Sequence, residues 1–230
     1  MFFEDKIKSI LPGDQVLEIG PGATPYYRSD VFLEKIFDTE QELIAQSGNV
    51  GILSTQKKVV YYSGDVFPFK NNEFDYVICS HVLEHVDDID KFVKEIQRVG
   101  KKGYIEFPLI YYDYLYNFPE HTQFVFFRNN CIFWMPKTET ALNTFSDVQK
   151  LFYKSCDQKY YRIIDDFKKF FFQGFEWFDI IETKRVSDLS MLTYQADEFD
   201  FSFLTIKDNF PSKGIFAKFK ILLLKTINKV

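Results

Sequence analysis

The stretch Val16-Leu17-Glu18-Ile19-Gly20-Pro21-Gly22-Ala23-Thr24-Pro25 constrains this chain more than any other. A short apolar run carries an acid near its end and breaks into two glycines, the pattern of a strand that stops at a sheet edge and turns tightly beside a ligand. The position of the charge narrows the ligand. A dinucleotide fingerprint needs a third glycine and a helix N-terminus for pyrophosphate; here Pro25 fills that glycine position and Glu18 sets negative charge just before the loop. A phosphate-binding loop needs Gly-Lys-Ser/Thr, and none follows. The loop suits a cationic ligand.

The first 110 residues alternate short apolar runs with polar or amphipathic stretches, as strands and helices do in an α/β sheet. Strands are predicted over 15–19, 30–37, 58–62, 75–80 and 103–108. A helix is predicted from about Asp88 to Arg98, because Val86, Ile89, Phe92, Val93 and Ile96 share one face, Asp87 and Asp88 precede it and Gly100 lies past its end. Between Gly22 and Asp30 there are few helix formers and a proline, so the usual crossover helix is expected to be very short or replaced by a loop. After Pro108 the chain turns to aromatic clusters, which are expected to pack a core and cap. One or two helices are predicted over 139–171 and a strand over 175–183.

Further motifs follow the glycine loop in order. Tyr62-Ser63-Gly64-Asp65-Val66-Phe67-Pro68-Phe69 leads into Asn72-Glu73-Phe74-Asp75-Tyr76-Val77-Ile78, and His81-Val82-Leu83-Glu84-His85-Val86 closes the fourth predicted strand. Together with Glu18-Ile19-Gly20-Pro21-Gly22, these runs resemble the class I S-adenosylmethionine (SAM)-dependent methyltransferases, in the branch with a type 11 methyltransferase domain. Thr24 stands where that family's first motif has its third glycine. The resemblance covers about residues 14 to 108. It implies a Rossmann-like α/β fold, SAM as cofactor and methyl transfer as activity, with the aromatic-rich C-terminal half as a cap that shapes the acceptor site.

The resemblance also assigns roles. Glu18, with Gly20 and Gly22, would line the amino-acid end of the cofactor. Glu34, in preference to Asp38, would hold the ribose hydroxyls; Asp65 and the Val66 amide would receive the adenine, with Phe67 packing nearby; Ser80 and His81 would face the methyl end. For proton transfer, His81 and His121 are the candidate catalytic residues, His121 paired with Glu120, while Glu106 is a further candidate for acceptor contacts. His85 and Glu84 suit a structural role at the helix entry. The His81/His85 spacing straddles a strand-to-helix junction, so no metal site is expected from it.

The chain divides into a SAM-binding core over 1–110, a cap with the remaining sheet elements over 111–210, and a basic amphipathic helix over 211–230. In that last segment Phe216, Phe219, Leu222, Leu223, Ile227 and Val230 share one arc while Lys218, Lys225 and Lys229 share another, which suits peripheral contact with an anionic membrane surface. The net charge of -5 argues against nucleic acid as a partner. Three scattered cysteines, no apolar run of about 18 residues and a charged start without a long apolar region point to a reduced, cytoplasmic protein. The expected acceptor is a small molecule or a sugar, methylated on oxygen, with glycan biosynthesis as the setting that the resemblance suggests. Methylation of a protein or RNA, and a binding or scaffold protein without turnover, are the alternatives.

Overall fold

Four consecutive parallel pairings build the sheet that carries the glycine loop. The computed structural model describes residues 1–39, 41–42, 53–144, 146–195 and 198–200; the basic segment 211–230 lies outside them. Strands β1 (Val16–Ile19), β2 (Val31–Lys35), β3 (Lys58–Tyr62), β4 (Tyr76–Ser80), β5 (Gly103–Pro108) and β8 (Phe172–Trp177) form one sheet in the order β3-β2-β1-β4-β5-β8. All pairings are parallel except β5 with β8. The strand order reverses next to β1, so the loops after β1 and β4 open side by side at the carboxyl edge of the sheet, where open α/β sheets bind ligands. The five strands predicted in the first 110 residues all occur, within two residues at each end.

Helix α1 (Ile89–Val99) crosses one face of the sheet, burying Ile89, Val93, Ile96 and Val99 completely. Asp88 caps it by accepting from the Lys91 amide at 3.0 Å. No helix joins β1 to β2. Instead the loop closes on polar groups: Glu18 Oε2 accepts from the Tyr26 amide at 2.9 Å and the Ser29 hydroxyl at 2.6 Å, and Asp30 accepts from the Val16 amide at 3.0 Å.

With that helix missing, the opposite face of the sheet is covered by the N-terminal segment. Met1, Ile7 and Ile10 pack on Val16, Tyr26, Tyr76, Ile78 and Tyr104. Such a segment lacks the internal hydrogen bonds of a helix, so its amides need acceptors from the sheet. Glu106 accepts from the Phe2 and Phe3 amides at 2.7 and 3.0 Å, and Glu176 from those of Lys8 and Ser9 at 3.0 and 2.9 Å. Gly174, paired with Glu106 in β8, leaves room for this arrangement: a Cβ there would lie 2.1 Å from the Tyr104 hydroxyl oxygen.

A second, three-stranded sheet joins β6 (Gln123–Arg128), β7 (Cys131–Pro136) and β9 (Glu182–Arg185). The β6–β7 hairpin turns on Asn129 and Asn130 with φ of 51° and 57°, a two-residue turn whose left-handed pair matches the strand twist. Asn129→Val, which puts a β-branched side chain at positive φ, is expected to lower stability by about 1–2 kcal/mol, read from the urea midpoint; an unchanged midpoint would refute the turn assignment. The strand expected over 175–183 is two strands instead. Pairing of β8 with β5 ends at Trp177 opposite Gly103, where β5 begins, and the chain crosses to pair with β7.

Helix α2 (Ile110–Tyr116) follows β5 where no helix was expected, and the stretch 139–171, expected as one or two helices, carries three, α3 (Asp147–Asp157), α4 (Arg162–Asp166) and α5 (Lys168–Phe171), among the described residues. Here Tyr112, Tyr116, Ile164, Phe171 and Phe172 make a second core with Phe3. The aromatic clusters supply this packing, although Tyr114, Phe167 and Phe178 stay exposed. The described residues from Tyr194 on belong to a separate unit, in which the Gln195 amide donates to Glu198 at 2.9 Å.

Candidate functional site

The glycine loop, the ends of β2, β3 and β4 and the start of α1 surround a cavity of about 1020 Å³. Its wall carries Glu18, Glu34, Asp38, Asp65, Asp87 and Asp88 against Lys35 and Lys91, so the field inside favours a cation. Gly20 and Gly22 adopt φ of 58° and 57°. At Gly20 a Cβ would fall 2.8 Å from a Val82 methyl, so backbone there approaches the next loop as only glycine allows.

Glu34 lies on the cavity wall at the end of β2, and no hydrogen bond reaches its carboxylate from the described residues. Burial and then the charge of Glu18 push its pKa up to about 7. Asp38 also faces the cavity from beyond β2. Asp65 sits at the mouth, mostly exposed, 3.3 Å from Lys91 Nζ, which also lies 3.4 Å from Asp88. The Val66 side chain is exposed and turned away from the cavity lining, while Phe67 is buried beneath it. The Ser80 hydroxyl, on the wall, donates to Glu106 Oε1 at 3.2 Å.

His81 directly follows β4 with φ of 57°, a conformation a non-glycine residue holds only when its surroundings impose it. Its surroundings are two buried carboxylates. Nε2 lies 3.0 Å from Glu106 Oε1 and Nδ1 3.4 Å from Glu84 Oε1. Burial would lower its pKa, but the hydrogen bond to Glu106 and the charges of Glu84 and Glu106 outweigh it and hold the ring at about 9. Both carboxylates favour the protonated ring, so this geometry favours a fixed cation between two anions, net negative as a group, over the general base expected of His81. Glu106 is fully buried, accepting also from Tyr104 Oη at 2.5 Å and the Phe2 and Phe3 amides. It is a structural hub, buried and not among the residues that line the cavity.

His121 is buried and does not reach the cavity lining. Its partner is Asp113 of α2, whose Oδ2 lies 2.8 Å from Nδ1, and not Glu120 as expected. Glu120 contributes its backbone carbonyl instead, 2.9 Å from His85 Nδ1. Burial pulls the His121 pKa down and Asp113 more than restores it, so the net shift is upward; burial and His121 leave His85 below its ordinary value. His85 lies on the cavity wall, and the His85 and His121 rings are 5.2 Å apart. Sequence spacing could not pair them, because Asp113, His121 and His85 meet only through the turn before β6. The N-terminal segment also escaped sequence reasoning: Phe2 stacks on Phe172 at 4.0 Å and sets its edge against His81 at 5.4 Å.

A cationic ligand bearing a diol fits this cavity on two observations, the acidic wall and the undonated Glu34 carboxylate, which hydroxyl donors would satisfy.

Residues 32–105 match the family model described as "Methyltransferase domain". An uncharacterised protein of Methanocaldococcus jannaschii is 32% identical over 100 residues, covering 43% of this chain and 45% of its own. Ajmaline N-methyltransferase of Rauvolfia serpentina is 36% identical over 66 residues, 28% of this chain and 22% of the plant protein. Among solved structures, a SAM-dependent methyltransferase of Thermotoga maritima matches with TM-score 0.31 and 22% identity over 46% of this chain and 49% of that one. The chain spans less than half the length of the curated relatives it matches.

Proposed function

We propose that this chain, which carries a SAM-dependent methyltransferase domain with SAM as its cofactor, moves the SAM methyl group to an oxygen of a small molecule or sugar. The observation that carries the small-acceptor reading is the cavity itself. At about 1020 Å³ it stands at the upper end of ligand sites, ~300–1,000 Å³, which leaves space for an acceptor beside the cofactor.

When bound, SAM supplies an electrophilic methyl on a sulfonium. The chain's own residues bind and orient: the acidic wall suits the positive charges, Glu34 the ribose hydroxyls, and Gly20 and Gly22 allow close backbone approach. The net negative Glu84–His81–Glu106 cluster sits at the β4 end of the cavity, so the imidazolium does not repel the cation unopposed. Rate then comes mainly from holding donor and acceptor in line. The acceptor's proton leaves to solvent, because His81 already holds its own.

The test is calorimetric titration with SAM and S-adenosylhomocysteine, followed by an acceptor screen with methyl-labelled SAM. Micromolar binding is expected, weakened about tenfold or more in Glu34→Ala, where at least two hydrogen bonds to a charged group are lost. No binding to either ligand would overturn the reading. Binding without turnover on any acceptor would favour the scaffold alternative. Because one relative is an N-methyltransferase, the screen includes amines beside sugars.

A further inference from the structure

Behind the cavity wall, Glu84 poses an unsolved problem of hydrogen bonding. Its side chain is 1% exposed, yet neither carboxylate oxygen receives a hydrogen bond. His81 Nδ1 lies 3.4 Å from Oε1 without the alignment of a hydrogen bond, and His85 Nε2 lies 3.8 Å from the same oxygen. A buried ionised carboxylate left in this condition is costly, and such groups are satisfied by a partner, by water or by a metal ion.

Two histidines face the same spot with their far nitrogens already engaged. His85 Nδ1 is held by the Glu120 carbonyl at 2.9 Å, so this nitrogen carries the proton and Nε2 the lone pair. His121 Nδ1 is held by Asp113 Oδ2 at 2.8 Å, and Asp113 is fixed in turn by Lys137 Nζ at 3.3 Å. A carbonyl or carboxylate on the outer nitrogen is the arrangement that orients an imidazole towards a metal. One ligand atom from each of Glu84, His85 and His121 lies within 4.8 Å of the others. The three come from a 3-10 turn after β4 and from the turn before β6, joined by the Thr122 amide donating to the Glu84 carbonyl at 2.8 Å.

We propose that Glu84, His85 and His121 form a binding site for one first-row divalent ion of the Zn²⁺ class. Two imidazoles and one carboxylate suit such an ion better than Mg²⁺ or Ca²⁺, which take oxygen ligands. Donors bound at ~2.1 Å to a tetrahedral ion stand about 3.4 Å apart, so a pair at the 4.8 Å limit must draw in by about 1.4 Å. The site leaves at least one coordination position open, and His85 connects it to the cavity wall. It does not depend on the methyl-transfer reading.

The experiment uses tag-free full-length protein stripped with a chelator. ZnCl₂ is titrated by calorimetry, and CoCl₂ by the visible d–d absorption that N/O-ligated Co²⁺ develops. One ion per chain is expected, with affinity lowered about tenfold or more in Glu84→Gln and in His121→Ala, and by ~10–100-fold in the positioning variant Asp113→Asn. Variants are compared only where circular dichroism matches the wild type. Absence of saturable uptake by the wild type overturns the site and leaves Glu84 to an ordered water; uptake that survives both ligand substitutions overturns it too. Since neither readout involves SAM or turnover, failure here and failure of the methyltransferase reading are told apart.

Discussion

Glu106→Ala is expected to lower unfolding free energy by about 3–5 kcal/mol, the cost of removing one partner from a buried ion pair. The carboxylate is fully buried and accepts from two backbone amides, a serine, a tyrosine and His81. Its loss strands the His81 cation and leaves the Phe2 and Phe3 amides with no acceptor in an otherwise apolar interface. Burial alone would raise the Glu106 pKa, but His81, Tyr104 and the Phe2 amide bring it down to about 2. Urea denaturation at neutral pH measures the loss. Glu106→Gln, which keeps an acceptor oxygen without the charge, separates the charge from the hydrogen bonds. A cost below about 1 kcal/mol for the alanine variant would show that the hub does not hold the N-terminal segment to the sheet.

Stability of the wild type is expected to fall as pH rises from about 6.5 to about 9. The folded-state pKa of His81 is raised to about 9 from 6.5, so its contribution is complete below 6.5 and disappears as pH passes through the folded value. The full effect is on the order of 3 kcal/mol. Glu34 contributes in the same sense: its folded-state carboxyl is held up at about 7, so the unfolded chain gives up that proton first and stability falls as pH rises from about 4.5 to 7. His81→Gln cancels the first effect and keeps the second. From pH 7 to 9.5, above the Glu34 window, stability should therefore fall with pH in the wild type relative to His81→Gln. Parallel curves would mean that the imidazole is neutral in the folded state, and the general-base role would then be open to it again.

The core of the fold was legible because its signals are local. The run ending in Glu18-Ile19-Gly20-Pro21-Gly22 marks its own strand and turn, and α1 announces itself by apolar residues at helical spacing and by the Asp88 cap. Even the missing crossover helix could be foreseen, from Pro25 and the poor helix formers around it. The Asn129-Asn130 turn was a local signal as well, masked by the aromatic run on either side.

The candidate site was legible as a set of residues and not as a set of partners. Neighbouring residues determine strand, helix and turn, so the sequence by itself determined the parallel core, the glycine loop and the acids beside it. What a buried polar group bonds to depends on the register of strands far apart in the chain. Only the tertiary structure decided that His81 lies between Glu84 and Glu106, that Glu106 serves the amides of Phe2 and Phe3, and that His121 answers to Asp113 and faces His85. A histidine's charge is set by those partners, and so its chemistry could be assigned only after folding had chosen them.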